Sequence, residues 1–325
     1  MNIGMKESQI HNATSFPGRV WWAKMPRLGM LIGKALRPSP KPLLITSLPR
    51  SGSSWVGTIL GNASNAMYLR EPLDQSCLAT GGTTTVFDVN PHSPPDDYAL
   101  FAERAFNGVP VFPQGVVHNA RQWPLFARRN RTLVIKSVNP LALPWLLEAY
   151  NPRVIHLVRH PAAVASSYWQ LGWRNPEEKL TQLSPRLLDG PLKPWRQLIR
   201  STTGFWAAQG VFQGAVQRVA TEALANHEDC QIVPYEEICV DAESKLHELL
   251  DFAGLNVDDS VRMRIAELSS GDELGGSDTY GTRRNSQEIA RAWKRKVNAE
   301  QLAALQAGYS AFELPHYNSA ADWTI

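Results

Sequence analysis

The sequence has few cysteines and no long apolar runs. No apolar stretch approaches the roughly 18 consecutive residues of a membrane-spanning helix. Residues 1–15 are polar and lack the apolar core of a secretory signal peptide. The three cysteines, Cys77, Cys230 and Cys239, form no even set for disulfides and lack metal-ligand spacing. These absences favour a reducing compartment, and we expect a cytoplasmic protein.

Charge is also scarce, with 19% charged residues and a formal net charge of +3. Such a small excess argues against a protein that coats nucleic acid, and we expect no nucleic-acid partner. It leaves room for a local basic site that binds an anionic ligand. With 43% hydrophobic residues over 325 positions, the chain can bury a large core, so disorder over most of its length is excluded.

One short stretch combines a strand, a tight loop and the start of a helix. Residues 43–48 form an apolar run of strand length, and Val56, Ile59 and Leu60 recur at helical spacing. A helix that begins at such a loop points backbone N–H groups and its positive dipole end at the loop, which favours a phosphate. An ordinary turn before a helix is the alternative interpretation. The loop consists of Pro49, Arg50, Ser51, Gly52, Ser53, Ser54 and Trp55.

This loop is not a P-loop of the ATP-binding type. That motif needs a glycine followed at once by lysine and then serine or threonine. Here Ser53 follows Gly52, and the only cation is Arg50, two positions before the glycine. The loop instead resembles the 5′-phosphosulfate loop of the sulfotransferases that use 3′-phosphoadenylyl sulfate (PAPS). The likeness is closest to their carbohydrate branch (Golgi-type and bacterial) and tyrosyl-protein branch, and Arg50 stands where cytosolic aryl sulfotransferases carry Lys.

The resemblance covers about residues 42–300. It implies PAPS as the donor, adenosine 3′,5′-bisphosphate (PAP) as the product, no metal, and an acceptor with a hydroxyl group, such as a saccharide, a glycolipid or a small molecule. Two other functions stay open. A nucleotide-dependent kinase is disfavoured because no Lys follows Gly52 and no carboxylate for Mg²⁺ is evident. A non-catalytic protein that binds a nucleotide or a sulfated glycan would keep the phosphate motifs without needing a base.

A second motif follows the apolar run at residues 153–158. The family binds the 3′-phosphate with an Arg at a strand end and a Ser eight residues later, and Arg159 and Ser167 have this spacing. An arginine can grip a phosphate with two parallel hydrogen bonds. The cofactor contacts that the resemblance implies are Arg50, Ser51, Gly52, Ser53, Ser54, Trp55, Arg159, Ser167, Tyr235 and Arg284, with Arg283 as the alternative to the last.

Three residues are candidates for the chemistry. In the carbohydrate and tyrosyl-protein branches, the strand after the loop ends in a Glu-Pro stretch whose Glu is the proposed general base, and Glu71 matches it here. A cap or a salt bridge with Arg70 is the alternative role for this carboxylate. The cytosolic branch has a Lys-Thr-His trio whose His is the base, and here residues 136–138 lack that His, which leaves Glu71 as the candidate base. Lys136, the first residue of the trio, is expected to donate to the sulfonyl oxygens. Arg50 is expected to neutralise charge on the leaving 5′-phosphate.

Strands and helices alternate along the sequence. We expect an α/β fold with a mostly parallel central sheet flanked by helices, the P-loop-like sulfotransferase fold. Residues 41–325 are expected to form one domain, with irregular acceptor-side insertions near residues 74–130 and 172–202. Residues 1–40 form an extension, in which residues 20–36 either pack against the domain or a partner, or make weak contact with a membrane surface. The expected strands include residues 67–73 and 231–235, and the last helix, capped by Asn298, is expected to end before Gly308.

Overall fold

A parallel sheet between layers of helices forms the centre of the protein. The computed structural model describes residues 20–23, 26–74, 86–112, 115–269 and 286–324. Within these residues the strands are β1 (Leu43–Ser47), β2 (Ala66–Arg70), β3 (Thr132–Ser137), β4 (Arg153–Val158) and β5 (Cys230–Pro234). The first four are buried along almost their whole length, as expected of parallel strands covered on both faces.

All neighbouring strands run parallel, in the order β2-β3-β1-β4-β5. The register places Lys136 of β3 beside Ile45 of β1 on one side and beside Arg70 of β2 on the other. The strand order reverses around β1, and open parallel sheets bind ligands at the carboxyl ends of the strands at such a point. The predicted fold class, a parallel α/β sheet flanked by helices, is confirmed.

Helices cover both faces of the sheet and form a further layer beyond it. Alternate strand residues face opposite cores, so that Leu43 and Ile45 pack on one side and Leu44 on the other. The α-helices are α1 (Pro26–Ala35), α2 (Ser53–Leu60), α3 (Asp96–Phe106), α4 (Leu143–Tyr150), α5 (Pro161–Gln170), α6 (Pro176–Thr181), α7 (Pro185–Asp189), α8 (Arg196–Ser201), α9 (Phe205–Leu224), α10 (Tyr235–Val240), α11 (Ala242–Ala253), α12 (Asp259–Ser269), α13 (Ser286–Arg291) and α14 (Ala299–Ser310). Short 3-10 helices lie at Trp21–Ala23, Ala120–Gln122, Ala127–Asn130, Pro140–Ala142, Lys193–Trp195, Ala292–Arg295 and Ala320–Trp323.

Helix α14 is longer than the glycine pattern predicts. Its start is as expected, because the Asn298 side chain caps it and Gln301 completes a capping box. The predicted end before Gly308 is wrong, since the helix continues to Ser310. A Cβ at Gly308 would lie 2.8 Å from the Ala207 carbonyl oxygen, so this glycine permits close packing of α14 on α9 and does not end the helix.

Four other expectations about insertions and strand ends need correction. The insertion at 74–130 is not irregular throughout, because it contains the amphipathic helix α3, whose Tyr98 and Phe101 are buried in the core. The insertion at 172–202 contains the short helices α6, α7 and α8. Strand β2 ends at Arg70 and not at residue 73, so Glu71 lies just beyond it. Strand β5 ends at Pro234, and Tyr235 is the first residue of α10.

The segment before β1 contributes α1 to the fold. Met30 and Ile32 pack against the core, whereas Leu28 and Leu31 are exposed. Lys34 forms an ion pair with Glu103 of α3 at 2.6 Å. None of the helices in the described ranges combines the length and the apolar character needed to cross a membrane.

Candidate active site

The five strands end at one edge of the sheet, and each leads directly into a predicted site residue or contains one near its end. Because the strands are parallel, residues far apart in sequence become neighbours there. The Arg50 loop follows β1, Glu71 follows β2, Lys136 lies one residue before the end of β3, Arg159 follows β4 and Tyr235 follows β5. This edge is therefore the candidate active site.

The loop between β1 and α2 has an unusual backbone. Gly52 has φ +90° and Arg50 has φ +70°, a left-handed conformation that costs a non-glycine residue about 1–3 kcal/mol. Gly52 is also the N-cap of α2, and it has no side chain with which to bond the first-turn N–H groups. These N–H groups can therefore donate hydrogen bonds to an anion at the start of the helix.

The ring of Tyr235 packs against this loop. It is buried and lies so close to Gly52 that an added Cβ would be 2.2 Å from Cδ2. It also meets the ring of Trp55 edge-on, with the centroids 5.9 Å apart. Both aromatic residues therefore hold the loop in place, and only glycine fits at position 52. Direct contact of Tyr235 and Trp55 with a cofactor stays a prediction.

Arg50 connects the two predicted phosphate motifs. Its Nε donates to the Ser167 hydroxyl at 3.0 Å, and its carbonyl oxygen accepts a 2.7 Å hydrogen bond from Nη1 of Arg159. A third contact joins the same elements, because the Tyr168 hydroxyl donates to the carbonyl oxygen of Pro49 at 3.2 Å. The structure therefore brings Arg50, Arg159 and Ser167 together, as the motif spacing predicts.

Arg159 itself is held on several sides. Its Nη2 donates to the carbonyl oxygen of Ile289 at 3.3 Å, and its guanidinium lies over the Tyr235 ring, 4.6 Å from the centroid. A planar cation on an aromatic face keeps its edge free to form hydrogen bonds. The position suits an arginine that binds an anion at the end of β4.

Lys136 and Glu71 form an ion pair on the other side of β1. Lys136 Nζ donates to Glu71 Oε1 and, at 3.0 Å, to the Ser54 hydroxyl of the loop. The lysine side chain is 1% exposed and the glutamate side chain 25%. Burial lowers the pKa of Lys136, and the neighbouring Glu71 carboxylate opposes that shift. From the sequence, the alternative role of Glu71 is a salt bridge with Arg70. In the structure its salt-bridge partner is Lys136.

The backbone at Glu71 is also constrained. Glu71 has φ +54°, and its N–H donates to the Lys136 carbonyl oxygen at 2.9 Å. The preceding Arg70 N–H donates to the carbonyl oxygen of Val116 at 2.8 Å, which brings part of the 74–130 insertion beside the carboxylate. His118 is exposed nearby, and partial burial, followed by the charge of Arg70, lowers its pKa. A strained turn that holds a carboxylate at a strand end is typical of a functional site.

Several buried polar atoms of this site have no hydrogen-bond partner among the described residues. They are Ser51 Oγ, Trp55 Nε1 and Arg159 Nε. Buried polar groups are usually bonded, so these three atoms on the loop and on Arg159 are available to a polar ligand. Together with the cradle at Gly52, these atoms fit a phosphorylated nucleotide.

Sequence reasoning missed a second group of residues behind Arg159. They are His160, Glu236, Trp293, Tyr317 and Trp323, which come from four different parts of the chain. The aromatic residues near the end of the chain have no motif spacing that could have revealed them. The predicted contact from Arg284, like its alternative Arg283, lies outside the described residues.

The fold is a parallel α/β sheet, and the carboxyl ends of its strands form a candidate site for a phosphorylated ligand. The model of the sulfotransferase family matches residues 42–259. The chain therefore belongs to the sulfotransferase family, which confirms the resemblance seen in its motifs.

The curated relatives are more distant. The chain is 25% identical over 201 residues to carbohydrate sulfotransferase 2 of mouse and of human, an alignment that covers 55% of this chain. It spans only 38% of the length of those relatives.

Solved structures of low identity are similar as well. The sulfotransferase domain from the curacin biosynthetic pathway is 18% identical, with a TM-score of 0.44 over 86% of this chain and 100% of that one. A mouse sulfotransferase complexed with PAP is 15% identical, with a TM-score of 0.42 over 90% of this chain and 91% of that one.

Proposed function

We propose that this protein transfers a sulfonyl group from PAPS to a hydroxyl group of an acceptor, giving PAP. The contact between the two phosphate motifs carries the proposal, because Arg50 meets both Ser167 and Arg159. Two cationic side chains and the N-terminus of α2 therefore lie side by side at this edge of the sheet. This arrangement suits a ligand with two separate phosphate groups.

The residues of the loop act on the donor side. Arg50 and the first-turn N–H groups of α2 stabilise the charge that grows on the leaving 5′-phosphate. Ser51, Gly52, Ser53 and Ser54 hold the phosphosulfate. The transferred group passes through a loose transition state, by analogy with phosphoryl transfer, so positioning and charge stabilisation supply the catalysis.

Arg159 and Ser167 act on the 3′-phosphate. Ser167 accepts a bond from Arg50 and keeps its own hydroxyl proton to donate to a phosphate oxygen. Arg159 Nε has no partner among the described residues and is available to donate to the same phosphate. We assign the selectivity for PAPS over nucleotides without a 3′-phosphate to this pair.

Glu71 acts as the general base and Lys136 as the donor to the sulfonyl oxygens. The Lys136 ammonium bonds both Ser54 of the loop and the Glu71 carboxylate. It therefore lies between the residues that hold the phosphosulfate and the base that receives the acceptor proton. Glu71 is partly exposed, which allows an acceptor hydroxyl to reach it and lose its proton there.

For the acceptor we propose a saccharide or a glycolipid. The curated relatives are named as carbohydrate sulfotransferases, which supports this class. Exposed rings also lie near the loop: Trp173 is 40% exposed and packs edge-on against Tyr168, which bonds Pro49. Such rings suit the apolar face of a sugar.

The nucleotide-dependent kinase and the non-catalytic binder are separated from this function by two measurements. Calorimetric titration with PAP and with ATP-Mg²⁺ should give tight binding only for PAP, and the reverse order would support the kinase. Turnover of labelled PAPS should then be followed with a panel of saccharide and glycolipid acceptors. Binding of PAP without transfer to any acceptor, or to water, would favour the binder.

We also propose a cytoplasmic location with weak membrane-surface contact through residues 20–36. The exposed Leu28 and Leu31 of α1 support the contact, since apolar side chains beside basic ones suit the interface. Sedimentation with anionic vesicles should fall for Leu31→Glu, and equal sedimentation of the two proteins would exclude the contact.

A further inference from the structure

A largely buried group of five residues adjoins Arg159 through the neighbouring His160. This group, the His160 cluster, consists of His160, Glu236, Trp293, Tyr317 and Trp323. His160, Trp293 and Trp323 are each at most 5% exposed. No step of the proposed reaction uses these residues, although His160 is the immediate neighbour of Arg159 in the chain.

Glu236 connects the strand end to the last part of the chain. Its Oε1 accepts from the backbone N–H of His160 at 3.2 Å, and its Oε2 accepts from the Tyr317 hydroxyl. Burial raises the pKa of Glu236, while the charge of Arg159 opposes this shift. A carboxylate that bonds the residue after Arg159 therefore also lies within the electrostatic reach of Arg159.

The imidazole of His160 fixes the same residue from its side chain. Its ring stacks on Trp293 with the centroids 4.3 Å apart and the planes 6° from parallel. Nε2 donates to the Asp322 carbonyl oxygen at 2.9 Å, and Nδ1 accepts from the Ala162 N–H at 3.2 Å, which caps α5. These bonds require the neutral ring, and burial lowers the pKa of His160 to about 3.

Tyr317 is held in a conformation that it would not adopt without support. Its φ is +58°, in the left-handed region that is rare for aromatic residues. Its hydroxyl bonds Glu236, its ring meets His160 edge-on, and its carbonyl oxygen accepts from Trp323 Nε1 at 2.9 Å. Strain of this kind persists only where the surroundings over-determine it.

Arg159 depends on this frame because its own side-chain partners are backbone carbonyls. Nη1 reaches the Arg50 carbonyl oxygen and Nη2 the Ile289 carbonyl oxygen, which belongs to the segment that carries Trp293. The Glu236 bond to the His160 N–H therefore fixes the backbone beside Arg159, from which its side chain extends. The His160 stack on Trp293 fixes the segment whose Ile289 carbonyl oxygen accepts from Arg159 Nη2. An arginine aligned in advance loses less conformational freedom when it binds a phosphate.

We propose that Glu236, Tyr317 and His160 are positioning residues for the 3′-phosphate, which they serve by orienting Arg159. The segment from Tyr317 to Trp323 is accordingly part of the nucleotide site and not only a covering of the core. The inference rests on the proposed function, in which Arg159 binds that phosphate. It concerns selectivity for the 3′-phosphate and leaves the transfer step to the residues at the sheet edge.

The test compares Tyr317→Phe with Tyr309→Phe. The first removes only the hydroxyl that bonds Glu236. The second removes a buried hydroxyl of the same region that bonds the His316 carbonyl oxygen at 3.4 Å and touches neither Glu236 nor His160 by a hydrogen bond. Affinities for PAP and for 5′-AMP are measured by calorimetry, together with the melting temperature and the steady-state constants for PAPS.

For Tyr317→Phe we expect PAP to bind about ten-fold more weakly, the size of one weakened hydrogen bond to a charged group, while 5′-AMP binds as before. KM for PAPS should rise by a similar factor with kcat within about two-fold, because the lost interaction is made equally in the ground state and the transition state. Tyr309→Phe should lower the melting temperature and keep the ratio of the two affinities.

A second variant, His160→Asn, guards against a Tyr317→Phe protein that fails to fold. Asn can still cap α5 but loses the ring stack and the bond to Asp322. We expect the same loss of selectivity. If the folded variants keep the wild-type ratio of PAP to 5′-AMP affinity, the cluster is only structural and the inference is wrong. If the wild-type protein itself does not distinguish PAP from 5′-AMP, the assignment of Arg159 in the proposed function fails instead.

Discussion

The buried ammonium of Lys136 is paired with the partly exposed carboxylate of Glu71, its neighbour across β2 and β3. A buried lysine needs such a counter-charge, so the candidate base also stabilises the lysine that is proposed to donate hydrogen bonds to the sulfonyl oxygens. The same ammonium bonds Ser54 of the loop. Any substitution at Glu71 or Lys136 therefore changes the charge balance of the site as well as its chemistry.

Arg50→Ala should lower kcat by about 10²- to 10³-fold, because a group that stabilises charge in the transition state is lost. The left-handed backbone at this position, φ +70°, makes Arg50→Gly the matched control. Both variants should lose turnover alike, and the glycine variant should have the higher melting temperature, because it relieves the backbone strain that arginine and alanine share. Near-normal turnover of the glycine variant would mean that Arg50 is only a turn residue.

PAP should bind the wild-type protein more tightly than 5′-AMP by about 1.5–3 kcal/mol, the worth of hydrogen bonds to a charged group. Ser167→Ala should remove part of this difference, since the Ser167 hydroxyl lies 3.0 Å from Arg50 Nε and can donate to the phosphate. Calorimetry with both nucleotides measures the effect. Equal affinities in the wild-type protein would overturn the 3′-phosphate assignment.

Gly52→Ala should lower the free energy of unfolding and weaken PAP binding, because the new Cβ would lie 2.2 Å from the Tyr235 ring. Gly254→Ala is the matched control, since Gly254 is also left-handed, with φ +65° and ψ +35°, and its Cβ position meets only Arg153 Nη1, at 3.6 Å. The control measures the backbone strain alone, about 1–3 kcal/mol. Urea unfolding of both variants should show the larger loss at Gly52, and equal losses would mean that the ring can move aside.

The sequence predicts the edge of the sheet well and the layers behind it poorly. Arg50, Glu71, Arg159 and Tyr235 each stand next to an apolar run, and parallel strands bring such junctions together without further information. The pairing of Lys136 with Glu71 depends on the register of β2 with β3, which no local pattern encodes. Contacts of this kind follow from packing over long sequence separations.

The glycines illustrate the same limit. Gly254 ends α11 in a left-handed conformation, as its position after an apolar helix predicts. Gly308 has the same sequence context, yet it lies within α14 because α9 approaches it closely. The partner that decides between the two roles is about a hundred positions away in the chain, so only the tertiary structure distinguishes them.

Acid should destabilise the protein through two buried histidines. Burial lowers the pKa of His160 to about 3 and that of His156 to about 4, whereas an unfolded histidine has a pKa of about 6.5. Their contribution to stability is therefore full above pH 6.5 and is lost as the pH falls from there towards the folded-protein values. His160→Asn should reduce the slope of the free energy of unfolding between pH 6 and pH 4 by up to about 1.4 kcal/mol per pH unit. Urea unfolding at several pH values tests this, and an unchanged slope would contradict it.

Glu71→Gln should lower turnover by about 10²- to 10⁴-fold, the usual worth of a general base, while PAP affinity changes little. The acidic limb of the pH–rate profile should disappear with the carboxylate. Because Gln also leaves the Lys136 ammonium without its counter-charge, the melting temperature should fall as well. Single-turnover rates and melting temperatures must therefore be measured on the same preparation.

The double variant Glu71→Gln/Lys136→Met separates chemistry from charge balance. Removing the ammonium along with the carboxylate leaves no unpaired buried charge, so the double variant should regain most of the melting temperature lost by Glu71→Gln. Turnover should stay low, because both the base and the donor to the sulfonyl oxygens are absent. If turnover returns together with stability, the pair is structural and the base lies elsewhere. The next residues to substitute are then His92 and His118, two exposed histidines of the 74–130 insertion. Low turnover in a stable double variant would assign the chemistry to this ion pair.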